Sequence, residues 1–140
     1  MQLHRFPEYV AGRHNITGGC TSSVERGDLS GQPGYAVGVF PERSLKVPGA
    51  TLTAEVVAGY LTRNIDAFRV ATLAVGTWFD GTTTWVDLSA VVPNKRLAIR
   101  LGRKYNQVAV WDLKRGVEVP CGGDGSAPAN LPPAGERLAV

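Results

Sequence analysis

The sequence is poor in the side chains that most often carry chemistry: its 140 residues hold two cysteines, two histidines and one methionine. Cys20 and Cys121 stand at opposite ends of the chain with no C-x-x-C spacing, which argues against a zinc ribbon or finger. His14 precedes Cys20 closely enough for a His/Cys metal site to be drawn, but two free thiols of a cytosolic protein are the simpler reading. No metal and no cofactor are expected. Both histidines, His4 and His14, lie near the start, and no Ser-His-Asp, H-E-x-x-H or phosphate-loop pattern occurs. Acid–base chemistry would fall to carboxylates, so the sequence leans away from an enzyme without deciding the matter. No apolar run approaches the roughly 20 residues that span a bilayer. His4, Arg5, Pro7 and Glu8 interrupt the stretch where a secretory leader would be apolar. A cytoplasmic protein with no membrane partner is expected.

What is present is a globular composition, 44% hydrophobic and 19% charged, in a length suited to one domain. The net charge of +3 leans towards acidic partners. Residues 1–34 are rich in Gly, Ser, Thr and Asn from Ala11 onwards and read as an N-terminal arm or loop, because so few large apolar side chains offset little ordering entropy. Residues 121–140, with their Gly and Pro clusters, read as a flexible C-terminal tail. Residues 35–120 are the expected α+β core domain.

Within that core, Tyr35 to Phe40 is a β-prone run, with Ser44 to Val47 as its hairpin partner. Thr51 or Thr53 caps a helix whose Val57, Leu61, Ile65 and Phe68 recur at helical spacing and which ends near Arg69. Leu73 to Phe79 and Thr83 to Val92 form a hairpin through Asp80-Gly81. Asn94 opens a second helix carrying Leu97, Leu101 and Tyr105 on one face. Gln107 to Leu113 and Val117 to Val119 close a last hairpin through Lys114-Arg115-Gly116. The fold class is therefore α+β: a four- to six-stranded mixed or antiparallel sheet with two helices on one face, either ferredoxin-like βαββαβ or a hairpin–helix duplication.

Strand alternation sends Val86, Leu88, Ala90 and Val92 beneath the helices and Trp85, Asp87 and Ser89 to the other face. The same period allows Trp78, and Gln107 with Trp111, to join them there. Ring faces beside Asp87, Ser89 and Gln107 suit a stacked base or nucleotide. The plainer alternative is that the N-terminal residues or a second subunit cover this face. On the second helix Arg96, Arg100, Arg103 and Lys104 form a basic ridge opposite the leucine stripe, fit to track phosphates, dock an acidic surface or simply meet solvent.

Gly34-Tyr35-Ala36-Val37, Val75-Gly76-Thr77-Trp78, Val86-Asp87-Leu88-Ser89, Val91-Val92-Pro93 and Asn106-Gln107-Val108-Ala109-Val110-Trp111-Asp112-Leu113 together resemble short uncharacterised proteins of actinobacteria and their phages. The resemblance implies a phage or mobile-element accessory protein of host-modulating or counter-defence type. The expected function is non-catalytic binding of a nucleotide, nucleic acid or host protein by a self-associating chain in a bacterial cytoplasm. The alternatives are a virion or assembly component that uses the tryptophan face as an oligomer interface, and a small enzyme using Asp87 with Ser89 or Gln107.

Overall fold

A computed structural model describes residues 3–139. Eight strands are present: β1 (Gly19–Ser23), β2 (Gly27–Asp28), β3 (Tyr35–Val37), β4 (Leu45–Pro48), β5 (Ala74–Phe79), β6 (Thr83–Val92), β7 (Ala109–Asp112) and β8 (Val117–Pro120). Four α-helices accompany them: α1 (Phe6–Thr17), α2 (Ala54–Arg63), α3 (Ile65–Val70) and α4 (Lys95–Lys104). The class is α+β, and every strand pair is antiparallel. The strand count exceeds the four to six expected.

The hairpin expected at Asp80-Gly81 forms the spine of the sheet. Gly81 takes φ +106°, and Asp80 Oδ1 accepts from the backbone N–H groups of Thr82 and Thr83, which fixes the turn. Strand order is β2-β1-β5-β6-β3-β7-β8, and β4 also pairs with β6. Because β6 is ten residues long, one of its edges accommodates two partners. Leu45–Pro48 pairs with Thr83–Val86, and Tyr35–Val37 pairs with Ala90–Val92. β4 is therefore not the hairpin partner of β3: buried Val39 and Phe40 and a short 3-10 turn at Pro41–Arg43 carry the chain away from β3 first.

The core lies on one face of this curled sheet. Val37, Val75, Val86, Leu88, Ala90, Val92 and Val110 pack there against Val57 and Tyr60 of α2, Ala67 of α3, and Ala98 and Leu101 of α4. Thr53 and Asn94 cap α2 and α4 by accepting the N–H of Val56 and Leu97, each cap contributing about 1 kcal/mol. The first helix is not continuous to Arg69. Asn64 turns its side chain back onto the Tyr60 carbonyl, splits α2 from α3 and leaves Ile65 exposed.

Within the stretch 1–34 expected to be an arm or loop, the described residues 3–34 are folded onto the core. Phe6, Val10, Ala11 and His14 form the buried face of α1, and Gly18, at φ +80°, ends the helix by bonding the His14 carbonyl. β1 then adds to the spine beside β5. Its Gly, Cys, Thr and Ser side chains are small enough to lie under α1 with little volume to fill.

Nor is the end of the chain a free tail, because Arg137 anchors it. That guanidinium is buried, donates to the Val39 carbonyl, clasps Glu42 with two bonds and lies 4.6 Å from the Phe40 ring centroid. Among the described residues, no helix is long and apolar enough to cross a membrane.

Candidate functional site

Opposite the helices, the sheet carries side chains of alternating parity to the core set. Here Ala36, Gly38, Gly76, Ser89 and Ala109 are all small, and the curl of the sheet over them leaves a cleft of about 560 Å³. Trp78, Asp87, Ser89, Gln107 and Trp111 all line it. Trp78 is 56% and Trp111 39% exposed, large values for indoles on a sheet.

Trp85 is on the same face but does not line the cleft. It stands opposite Trp78 across the β5–β6 ladder, its indole N–H donates to Asp80 Oδ2 at 2.9 Å, and the Lys46 ammonium lies 4.8 Å over its ring. Those partners tie it to the hairpin end. The covering role considered for the N-terminal residues is played by one short segment. Leu29 packs on Ala36, Ala74 and Leu113, with the Leu29 N–H on the Thr21 carbonyl and the Gly31 N–H on the Leu113 carbonyl. This bridge closes one end of the face and leaves the cleft open beside it.

The cleft is acidic. Among the described residues, Asp87 and Glu118 are its only charged lining residues, and no Lys, Arg or His lines it. Asp87 accepts a short hydrogen bond from the Ser44 hydroxyl, and none of the ion pairs among the described residues involves it. Burial pushes its carboxyl above the usual carboxylate range, with the Ser44 bond opposing. Glu118 is exposed and stands directly opposite Trp111 in the β7–β8 ladder. The sequence analysis missed it: the turn Lys114-Arg115-Gly116 expected there pairs Trp111 with Val119, whereas the four-residue loop observed pairs Asp112 with Val117 and so Trp111 with Glu118.

Asp87, Ser89 and Gln107 share the cleft without bonding one another. The Gln107 amide donates to the Tyr105 carbonyl at 3.2 Å, and its oxygen lies where a Cβ on residue 38 would come within 2.7 Å. Glycine at 38 permits that approach. The array offers ring faces, carboxylates, a hydroxyl and an amide, the groups of molecular recognition.

The basic ridge lies elsewhere, on the outward side of α4. Lys95, Arg96, Arg100 and Arg103, with Ile99, line a shallow groove of about 660 Å³. Lys104 does not join them: its ammonium bonds the Ala139 carbonyl and lies 5.7 Å from the Tyr105 ring centroid. Lys95 takes its place.

His14 and Cys20 converge on Thr77 in the core. The Thr77 hydroxyl lies 2.7 Å from His14 Nδ1 and 3.2 Å from the Cys20 backbone N, while His14 Nε2 faces the Ala50 carbonyl at 3.0 Å and carries a proton. Among the described residues, no three His, Cys, Asp or Glu side chains are grouped to hold a metal ion. No family model, curated protein or solved structure matches the chain.

Proposed function

We propose that the protein is a non-catalytic binding protein, that its site is the tryptophan-flanked cleft, and that the occupant is a segment of another protein. The observation that carries this reading is the charge of the cleft: among the described residues, two carboxylates and no cation line it. Phosphate groups would be repelled there, which disfavours the nucleotide and nucleic-acid occupants and leaves the host-protein alternative. Exposed indoles over a floor of small residues suit the backbone and side chains of a peptide.

The resemblance to phage and actinobacterial proteins supplies a context, a host-modulating or counter-defence factor acting on a protein of the bacterial cytoplasm. The order β5-β6-β3-β7, antiparallel throughout, supports reading these four strands with α2 and α4 as a ferredoxin-like βαββαβ unit, enlarged by β1, β2, β4, β8, α1 and α3.

Tryptophan emission tests the proposal. Pools of short peptides should shift it saturably, whereas ATP and oligothymidylate should not, and Trp111→Ala should weaken the peptide response. Quenching by ATP or oligothymidylate that is lost in Trp111→Ala would restore the nucleotide reading. Silence towards every probe would remove the binding reading.

A second reading has its own support. Val91, exposed at 38%, stands beside Ala36 and Trp111 in the sheet and extends their apolar surface, as a self-association face would. Sedimentation at rising concentration tests it, and a monomer throughout would dismiss it.

A further inference from the structure

The two exposed indoles of the cleft each have a carboxylate neighbour. Asp87 stands opposite Gly76, so Trp78, two residues on, is its diagonal cross-strand neighbour at roughly 7–8 Å on the same face. Glu118 stands directly opposite Trp111, where side chains on adjacent strands are in reach of each other. An indole face next to a carboxylate, repeated at two places on one concave surface, is the chemistry that holds a flat cation: the ring quadrupole attracts it and the carboxylate accepts its hydrogen bonds.

This face already makes half of that contact within the chain. The Lys46 ammonium sits over Trp85 at 4.8 Å. Among the described residues no cation lies over Trp78 or Trp111. Neither Asp87 nor Glu118 is in an ion pair there. Two equivalent places are thus open where the third is filled from within.

Resting on the binding reading above, we infer that the cleft recognises arginine side chains of an extended segment of the partner protein. Guanidinium is preferred over ammonium because it is planar, stacks on an indole and presents a fork of donors to a carboxylate. Ser89 and the small floor residues leave room for the peptide backbone between the two pairs.

The probe is acetyl-Ala-Arg-Ala-Arg-Ala-amide, titrated into the full chain by tryptophan emission and calorimetry beside the same peptide with citrulline in both arginine positions. Citrulline keeps the shape and loses the charge. The arginine peptide should bind about tenfold more tightly. Asp87→Asn and Glu118→Gln should each weaken it several-fold without changing citrulline binding. Glu118 is exposed, so its variant reports even if Asp87→Asn disturbs the fold. Equal binding of both peptides, with loss in Trp111→Ala, would overturn the arginine inference and leave the binding reading in place. Binding that Glu118→Gln and a correctly folded Asp87→Asn both leave unchanged would also overturn it. No binding of either peptide would overturn the inference, while the peptide pools described above decide the wider reading.

Discussion

Arg137 and Glu42 form a two-bonded ion pair across 95 residues of chain, with N–O distances of 2.9 and 2.5 Å. The same guanidinium satisfies the Val39 carbonyl at 2.9 Å and lies against the Phe40 ring. Tyr105, at the end of α4, bonds the Arg137 carbonyl at 2.6 Å. A residue from the last turn of the chain therefore ties the loop after β3 to the end of α4.

Arg137→Ala should cost about 3 kcal/mol, since it leaves a half-buried carboxylate and a buried carbonyl without their donor. The urea midpoint should fall at an unchanged denaturant slope. Arg137→Lys keeps the charge without the fork and should fall between the two. An Ala variant as stable as the parent would show that the Arg137 side chain does not anchor the C-terminal segment.

Acid should act on two carboxyls in opposite senses. At Glu42 burial favours the neutral acid, but the Arg137 bonds and charge outweigh it and hold the group below its ordinary value. Its contribution to stability is present above the unfolded pKa of about 4 and is lost as pH falls through the folded value. Asp87 is raised by burial, so its contribution is fully present below about pH 4 and is lost as pH rises through its folded value. Asp87→Asn should accordingly be more stable than the parent at pH 7, and the advantage should vanish near pH 3.5. Urea midpoints at the two pH values decide it.

Two glycines should respond oppositely to alanine. At Gly76 an added Cβ meets the Ser89 hydroxyl at 3.5 Å, an ordinary contact, so Gly76→Ala should gain about 0.5–1 kcal/mol while raising the cleft floor and weakening the arginine peptide. At Gly102 the same carbon falls 2.5 Å from Cys121 Sγ and 2.9 Å from Val110 Cγ1, where α4 meets the sheet. Gly102→Ala should lose about 1–3 kcal/mol. Thermal melts of both variants are the check.

Thr77→Val keeps the shape and removes the hydroxyl that His14 and the Cys20 backbone share. Buried His14 Nδ1 loses its partner, and the expected loss is about 1–3 kcal/mol, read from urea midpoints.

Legibility in the sequence followed the strength of local signals. Asp80-Gly81 between two β-branched runs, and Thr53 and Asn94 before their helices, were readable because the turn and caps use neighbours in the chain. The alternation of β6 also placed Trp85 and Asp87 opposite the core without knowledge of partners. α1 was not readable, since its buried stripe of Phe6, Val10, Ala11 and His14 ends in a small residue and a histidine. β1 has no β-branched or aromatic run, and it is a strand because β5 and Thr77 satisfy it. The pairing of β4 with β6 and the anchoring by Arg137 are long-range choices that no window of sequence contains. In the cleft, Glu118 escaped notice because its significance comes wholly from the strand opposite.

The shared edge of β6 has a mechanical consequence. Between the stretch held by β4 and the stretch held by β3, residues Asp87 to Ser89 have neither strand alongside on that edge. They are the seam at which two half-sheets join, and they are also the bottom of the cleft. β5 pairs with Thr84–Ser89 along the opposite edge and bridges this gap, so the floor of the cleft at Asp87 and Ser89 is held in the sheet from one side only.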